Sequence, residues 1–196
     1  MNNKRTTVNT ERLVLTAILT ARVVVLQVIA ILTRAVLPVF AINLVLIPIV
    51  IGAATGGISV GAWLGFASGV AVLVSGDATA FLSVDIFGTI LTVLLKGTLS
   101  GVTAAAVYKA VEGKSKYWAV MAAAVVCPIT NTGVFVLGCF TFFMDTIRSW
   151  GEGLGYSNAL AYIFLGMIGI NFIIEVVLNV ILSPAVVRLL GIKNKT

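Results

Sequence analysis

The chain has 196 residues, 60% of them hydrophobic and 10% charged, with a formal net charge of +6 and a mean hydropathy of +1.13. A soluble domain carries about 25% charged residues, so this much apolar surface excludes a soluble core and marks an all-α integral membrane protein. Histidine is absent and Cys127 and Cys139 form no CxxC pair, which argues against a zinc or haem centre, histidine-based acid–base chemistry and a disulfide framework.

Apolar runs predict six transmembrane helices in a single domain spanning 1–196, at about 13–33, 38–54, 57–75, 85–111, 116–143 and 158–190, since roughly 20 residues cross a bilayer. The first run exceeds the roughly 7–15 residues of a signal-peptide apolar region and reads as a retained helix. It holds Ala17 and Ala21 four apart, then Arg22, and Gln27 further along. Small residues at that spacing make a notch that another helix can enter. The second run starts at Pro38, which suits a first helical turn, and contains Asn43. The third follows the break GAATGG and sets Gly57, Gly61, Gly65 and Gly69 on one face, a surface for close helix packing.

The last three runs are long enough to tilt or protrude. The fourth carries Lys96. The fifth carries CPITNTG, in which Pro128 frees a carbonyl one turn earlier and Thr130, Asn131 and Thr132 follow. That segment reads either as a packing kink or as irregular backbone lining a cavity. The sixth places Asn171, Glu175 and Asn179 on one polar stripe at i, i+4 spacing.

Basic residues sort to one side: Lys4, Arg5 and Arg12, then Lys109, Lys114 and Lys116, then Arg188, Lys193 and Lys195. The other side has only Arg34 and Arg148, together with Asp77, Asp145 and Glu152. Short basic loops face the cytoplasm, so both termini are expected there. The outer connections then fall near 34–37, 76–84 and 144–157. The last two mix Asp, Ser, Thr, Gly, Trp150 and Tyr156, a composition that covers a polar ligand or simply belongs to an interface.

Charges inside a bilayer are costly and point to function. With 1.5 Å rise per residue, Lys96 lies about 16 Å, Asn131 about 18 Å and Asn171 about 19 Å from the outer ends of their helices. Three polar groups from three helices thus share a level and suit a cavity open to the outer face. Gln27 and Asn43 sit nearer the outside. Each amide also serves as interhelical glue, worth about 1 kcal/mol; the deep ammonium of Lys96 reads as a site. Glu175 is expected either in that site or paired with Arg22. No HExxH, GxSxG or Walker A motif occurs, so no enzyme, metal or cofactor is expected, and ATP-driven work falls to a partner. Topology accounts for the basic residues without nucleic acid.

Taken together, the topology, the size, the AxxxA of Ala17-Ile18-Leu19-Thr20-Ala21, the lysine within LLKGTLSG and the PITNTG turn resemble the substrate-binding S components of energy-coupling factor (ECF) transporters. These are the vitamin importers of bacteria and archaea. The resemblance covers essentially the whole chain. It implies a multi-pass protein of the plasma membrane, with an outward-facing vitamin pocket formed mainly by helices four to six. Partners are implied too: a transmembrane T component and two cytoplasmic ATPases. Lys96 and Asn131 would contact the ligand, Thr132, Asn171, Asn43, Gln27 and Glu175 would join them, and Ala17 and Ala21 would form the T-component docking face. Arg22 departs from the family pattern.

The cationic, amide-rich layer, with few deep aromatics, leans towards a flexible anionic vitamin such as pantothenate; riboflavin and pyridoxine-like vitamins stay open. A membrane scaffold without an enclosed polar cavity, or a stand-alone secondary transporter, is the alternative. The lack of inverted repeats disfavours the latter.

Overall fold

The computed structural model describes residues 2–36 and 44–193, and every regular element among them is helical. In chain order these are α1 (Asn2–Val36), α2 (Leu46–Val74), the short α3 (Thr79–Leu82), α4 (Ile86–Val111), α5 (Lys116–Phe142), α6 (Met144–Gly153), the single turn α7 (Ala159–Ala161), a π-helical segment (Tyr162–Ile168) and α8 (Gly169–Lys193). Five described segments are long and apolar enough to cross a membrane: Thr10–Leu32, Leu46–Val74, Ile86–Val111, Lys116–Phe142 and Ala159–Arg188. The start expected at Pro38, and Asn43, lie outside the described residues.

α2 is one stretch by length but two limbs by geometry. Its backbone breaks at Gly57 (φ 71°, ψ −162°), a conformation essentially confined to glycine. A Cβ on Gly61 would lie 3.3 Å from that of Ala53, and one on Gly52 would strike Leu64. In a straight helix residues 52 and 64 are about 18 Å apart, so the chain folds back on itself at Gly57.

The second limb then runs antiparallel to α4 on a seam of glycines. Gly61 faces Gly101, Gly65 faces Gly97 and Gly69 faces Val93, so closely that a Cβ on Gly61 would stand 2.5 Å from the Gly101 carbonyl oxygen. The expected glycine face therefore packs within this chain, against a second GxxxG pair in α4. With no side chains between them the backbones touch, which is how helices associate where water supplies no hydrophobic drive.

α1 packs mainly on α2 and is fastened at two heights. Arg12 donates to the Gly56 carbonyl and the Ser59 hydroxyl beside the Gly57 turn, and Gln27 donates to Ser75 and Asp77 beyond the far end of α2. Asp85 caps α4 by accepting from the Gly88 N–H at 3.1 Å, the role a short carboxylate plays at a helix start. Two hydrophobic clusters result. One gathers Leu19, Val23, Leu46, Ile49, Leu64, Val120 and Cys127 towards the Gly57 end. The other gathers Cys139, Phe143, Ile147, Ala159 and Ile163 towards the α3–α6 end.

Candidate functional site

A cavity of about 380 Å³, within the range of small-molecule sites, is bordered by Phe81, Phe135, Met167 and Ile168, which pack against the second cluster. Gln27 reaches it from α1, Lys96 from α4, Asn131 and Thr132 from α5, and Asn171 and Glu175 from α8. Four separate helices thus bring six of the seven expected ligand residues to one space; the seventh, Asn43, is not among the described residues. The shared depth of Lys96, Asn131 and Asn171 is matched by a shared direction.

Helical periodicity explains the convergence. Asn131 and Phe135 are one turn apart on α5, as are Asn171 and Glu175 on α8, so each pair presents one face. On α4 the glycine seam holds Gly97 and Gly101 against α2, which fixes the rotation of the helix and with it the direction of Lys96. The Lys96 ammonium stands 5.3 Å from the centre of the Phe135 ring, a cation–π contact. Oδ1 of Asn171 is shut off from solvent and has no hydrogen-bond partner. Asn179, also buried, is satisfied within its own helix, donating to the Glu175 carbonyl at 2.8 Å.

Several lining residues carry no signal in an apolar run. Phe81, Phe135 and Phe172 all border the cavity, so the expectation of few aromatics at this level does not hold. Phe135 is one turn from Asn131, and Phe172 adjoins Asn171. Phe81 reaches in from α3 and forms a roof: its ring makes edge contacts with Phe135 (5.7 Å), Phe143 (5.0 Å) and Trp150 of α6 (5.6 Å). Asp77 and Ala78 line the space beside it. The 76–84 connection, expected as a loop cover, is thus a short helix built into the wall.

Irregular backbone does meet the cavity, but not at the PITNTG turn. α5 remains helical through Pro128, which is buried, and Thr103 of α4 donates to Thr130 at 2.9 Å. The irregularity lies in the last span, expected as one helix over 158–190. The π-segment Tyr162–Ile168 ends at Gly169 (φ 29°, ψ −129°), and Met167 and Ile168 face the cavity there. Single π-turns of this kind recur at functional sites.

The expected ion pair between Arg22 and Glu175 does not form. Arg22 is exposed on α1, which packs on α2 rather than on α8, while Glu175 lines the cavity with Lys96. Depth along two helices matched, but their facing directions did not. Ala17 and Ala21 are exposed, whereas Leu19, Val23 and Gln27 are buried. A two-residue step turns about 200° around a helix, so the alanine notch faces away from this chain's own bundle.

A family model described as ECF transporter, substrate-specific component, matches residues 11–187. Searches of curated proteins and of solved structures give no match.

Proposed function

Since this chain belongs to the substrate-specific component family of ECF transporters, we propose that it captures a water-soluble vitamin in the Lys96 cavity and delivers it to a T component and two cytoplasmic ATPases. Members of this family are transport subunits, not enzymes. The observation that carries the reading is the convergence of Gln27, Lys96, Asn131, Thr132, Asn171 and Glu175 on one cavity. Gln27 is also tied to Ser75 and Asp77, yet all six groups border a common void.

In this reading the chain crosses a bacterial cytoplasmic membrane six times, the two limbs of α2 counting separately. Its basic end faces the cytoplasm, following the positive-inside rule, and the α3–α6 roof covers the cavity from outside. Lys96 takes the anionic group of the vitamin, amides and Thr132 take its polar middle, and the phenylalanines take its apolar part. Pantothenate, with one carboxylate, one amide and two hydroxyls, is the first candidate. Ala17 and Ala21 form the surface that meets the T component.

Mass spectrometry of small molecules retained through purification tests this directly: a bound vitamin is expected. Lys96→Ala should raise its Kd by roughly 10- to 100-fold, the loss of one charge-assisted hydrogen bond, with unchanged elution on size exclusion. An absence of any retained or added vitamin at the cavity would overturn the proposal.

A further inference from the structure

Arg22 is an exposed charge in the middle of a membrane span. Within Thr10–Leu32 it lies about 18 Å from one end and about 15 Å from the other at 1.5 Å per residue, mid-depth in a hydrocarbon core of about 30 Å. Among the described residues no hydrogen bond or ion pair reaches it. Its neighbours one turn either way, Ile18 and Val25, are exposed and apolar, and α2, on which α1 rests, contains no acidic residue. An arginine left facing lipid at that depth is costly. Side chains on a helix lean towards its N-terminus, here the farther end, a distance that one side chain does not span, so a headgroup phosphate is out of reach. A second copy of the chain does not supply the counter-charge either. Six of the seven acids lie at or beyond the ends of the spans, and the seventh, Glu175, lines the cavity. Ala21 is about 100° away around the helix, so Arg22 borders the exposed alanine notch.

We propose that Arg22 is the charged anchor of the docking face, and that the T-component helix seated on Ala17 and Ala21 presents an Asp or Glu carboxylate to it at mid-bilayer. Arginine and a carboxylate form two parallel hydrogen bonds in a fixed geometry, and one polar position in an otherwise apolar seam sets the register of two helices. The charge thus costs the free chain stability and is neutralised on assembly. This rests on the reading of Ala17 and Ala21 as the docking face and adds the chemistry of the partner.

The full chain in detergent is titrated onto the purified T component and ATPases of its own cell. Arg22→Leu should weaken assembly by roughly 10²-fold, as when one member of a buried charge pair is truncated, while the isolated variant keeps its elution profile and a Tm at or above that of the parent. Arg22→Glu should abolish assembly, and exchanging one intramembrane Asp or Glu of the T component for arginine should restore it. Parent-like assembly of Arg22→Leu overturns the inference. So does a defect that appears only when anionic lipid is added, since a headgroup is then the partner, or an Arg22→Glu defect that no such exchange restores. Ala21→Trp keeps the two levels apart. If it blocks assembly while Arg22→Leu assembles normally, only this inference fails; if both variants assemble normally, the docking face falls with it.

Discussion

Gly61→Ala is the sharpest test of the glycine seam. The added methyl would sit 2.5 Å from the Gly101 carbonyl oxygen and 3.1 Å from its carbon, both backbone atoms of α4. Regaining an ordinary separation of roughly 3.5 Å requires the two helices to part by about 1 Å. Movement the other way is blocked by the Ala53 methyl at 3.3 Å on the first limb of α2. Overpacking of this kind costs about 1–3 kcal/mol, and for a chain of this length each kcal/mol moves Tm by roughly 2–4 °C. Gly133→Ala is the matched control. Gly133 is an exposed residue inside α5 with nothing within 4 Å of a new Cβ, so the substitution should stabilise by about 0.5–1 kcal/mol. Thermal unfolding in one detergent reads both, and ligand titration reads a second consequence. α4 carries Lys96, so parting the seam should also weaken binding in Gly61→Ala and not in Gly133→Ala. Equal Tm values for the two variants would refute the claim that backbone contact sets this interface.

Three further outcomes are expected. Ala17→Trp or Ala21→Trp should keep vitamin binding and abolish transport in reconstituted vesicles, because the exposed notch is filled; normal transport would remove α1 as the docking face. Phe81→Ala removes three edge contacts, each worth about 0.5–1.5 kcal/mol, so stopped-flow dissociation of the bound vitamin should speed up; an unchanged off-rate would show that the ring is not a roof. Gly57→Ala meets no steric neighbour but forces a side chain into a glycine-only backbone region, at a cost of about 1–3 kcal/mol. A Tm equal to that of the parent would mean that the hairpin does not depend on that conformation.

The sequence made the candidate cavity legible because axial position in a helix is simple arithmetic and polar residues in apolar runs are few. Lys96, Asn131 and Asn171 could be placed at one level by counting. Direction around the axis is a different quantity, set by which neighbour each helix rests on, and it is why Arg22 and Glu175 looked like partners. Phe81, Phe135 and Phe172 were hidden because an aromatic in an apolar run looks the same whether it faces lipid, core or ligand. Gly97 and Gly101 were in plain view four residues apart, yet only the antiparallel pairing identifies them as the counterpart of Gly61 and Gly65. The π-segment left no recognisable trace beyond Gly166 and Gly169, in a chain rich in glycine.

The two hydrophobic clusters support different surfaces of the molecule. Leu19 and Val23, which anchor the helix bearing Ala17 and Ala21, belong to the cluster at the Gly57 end. Phe81, Phe135, Met167 and Ile168 pack against the other, and they are also the apolar lining of the cavity. Replacing those four side chains would alter what fits inside without disturbing the foundations of the alanine face. On the proposed reading, the lining can change with its ligand while the alanine face stays as it is.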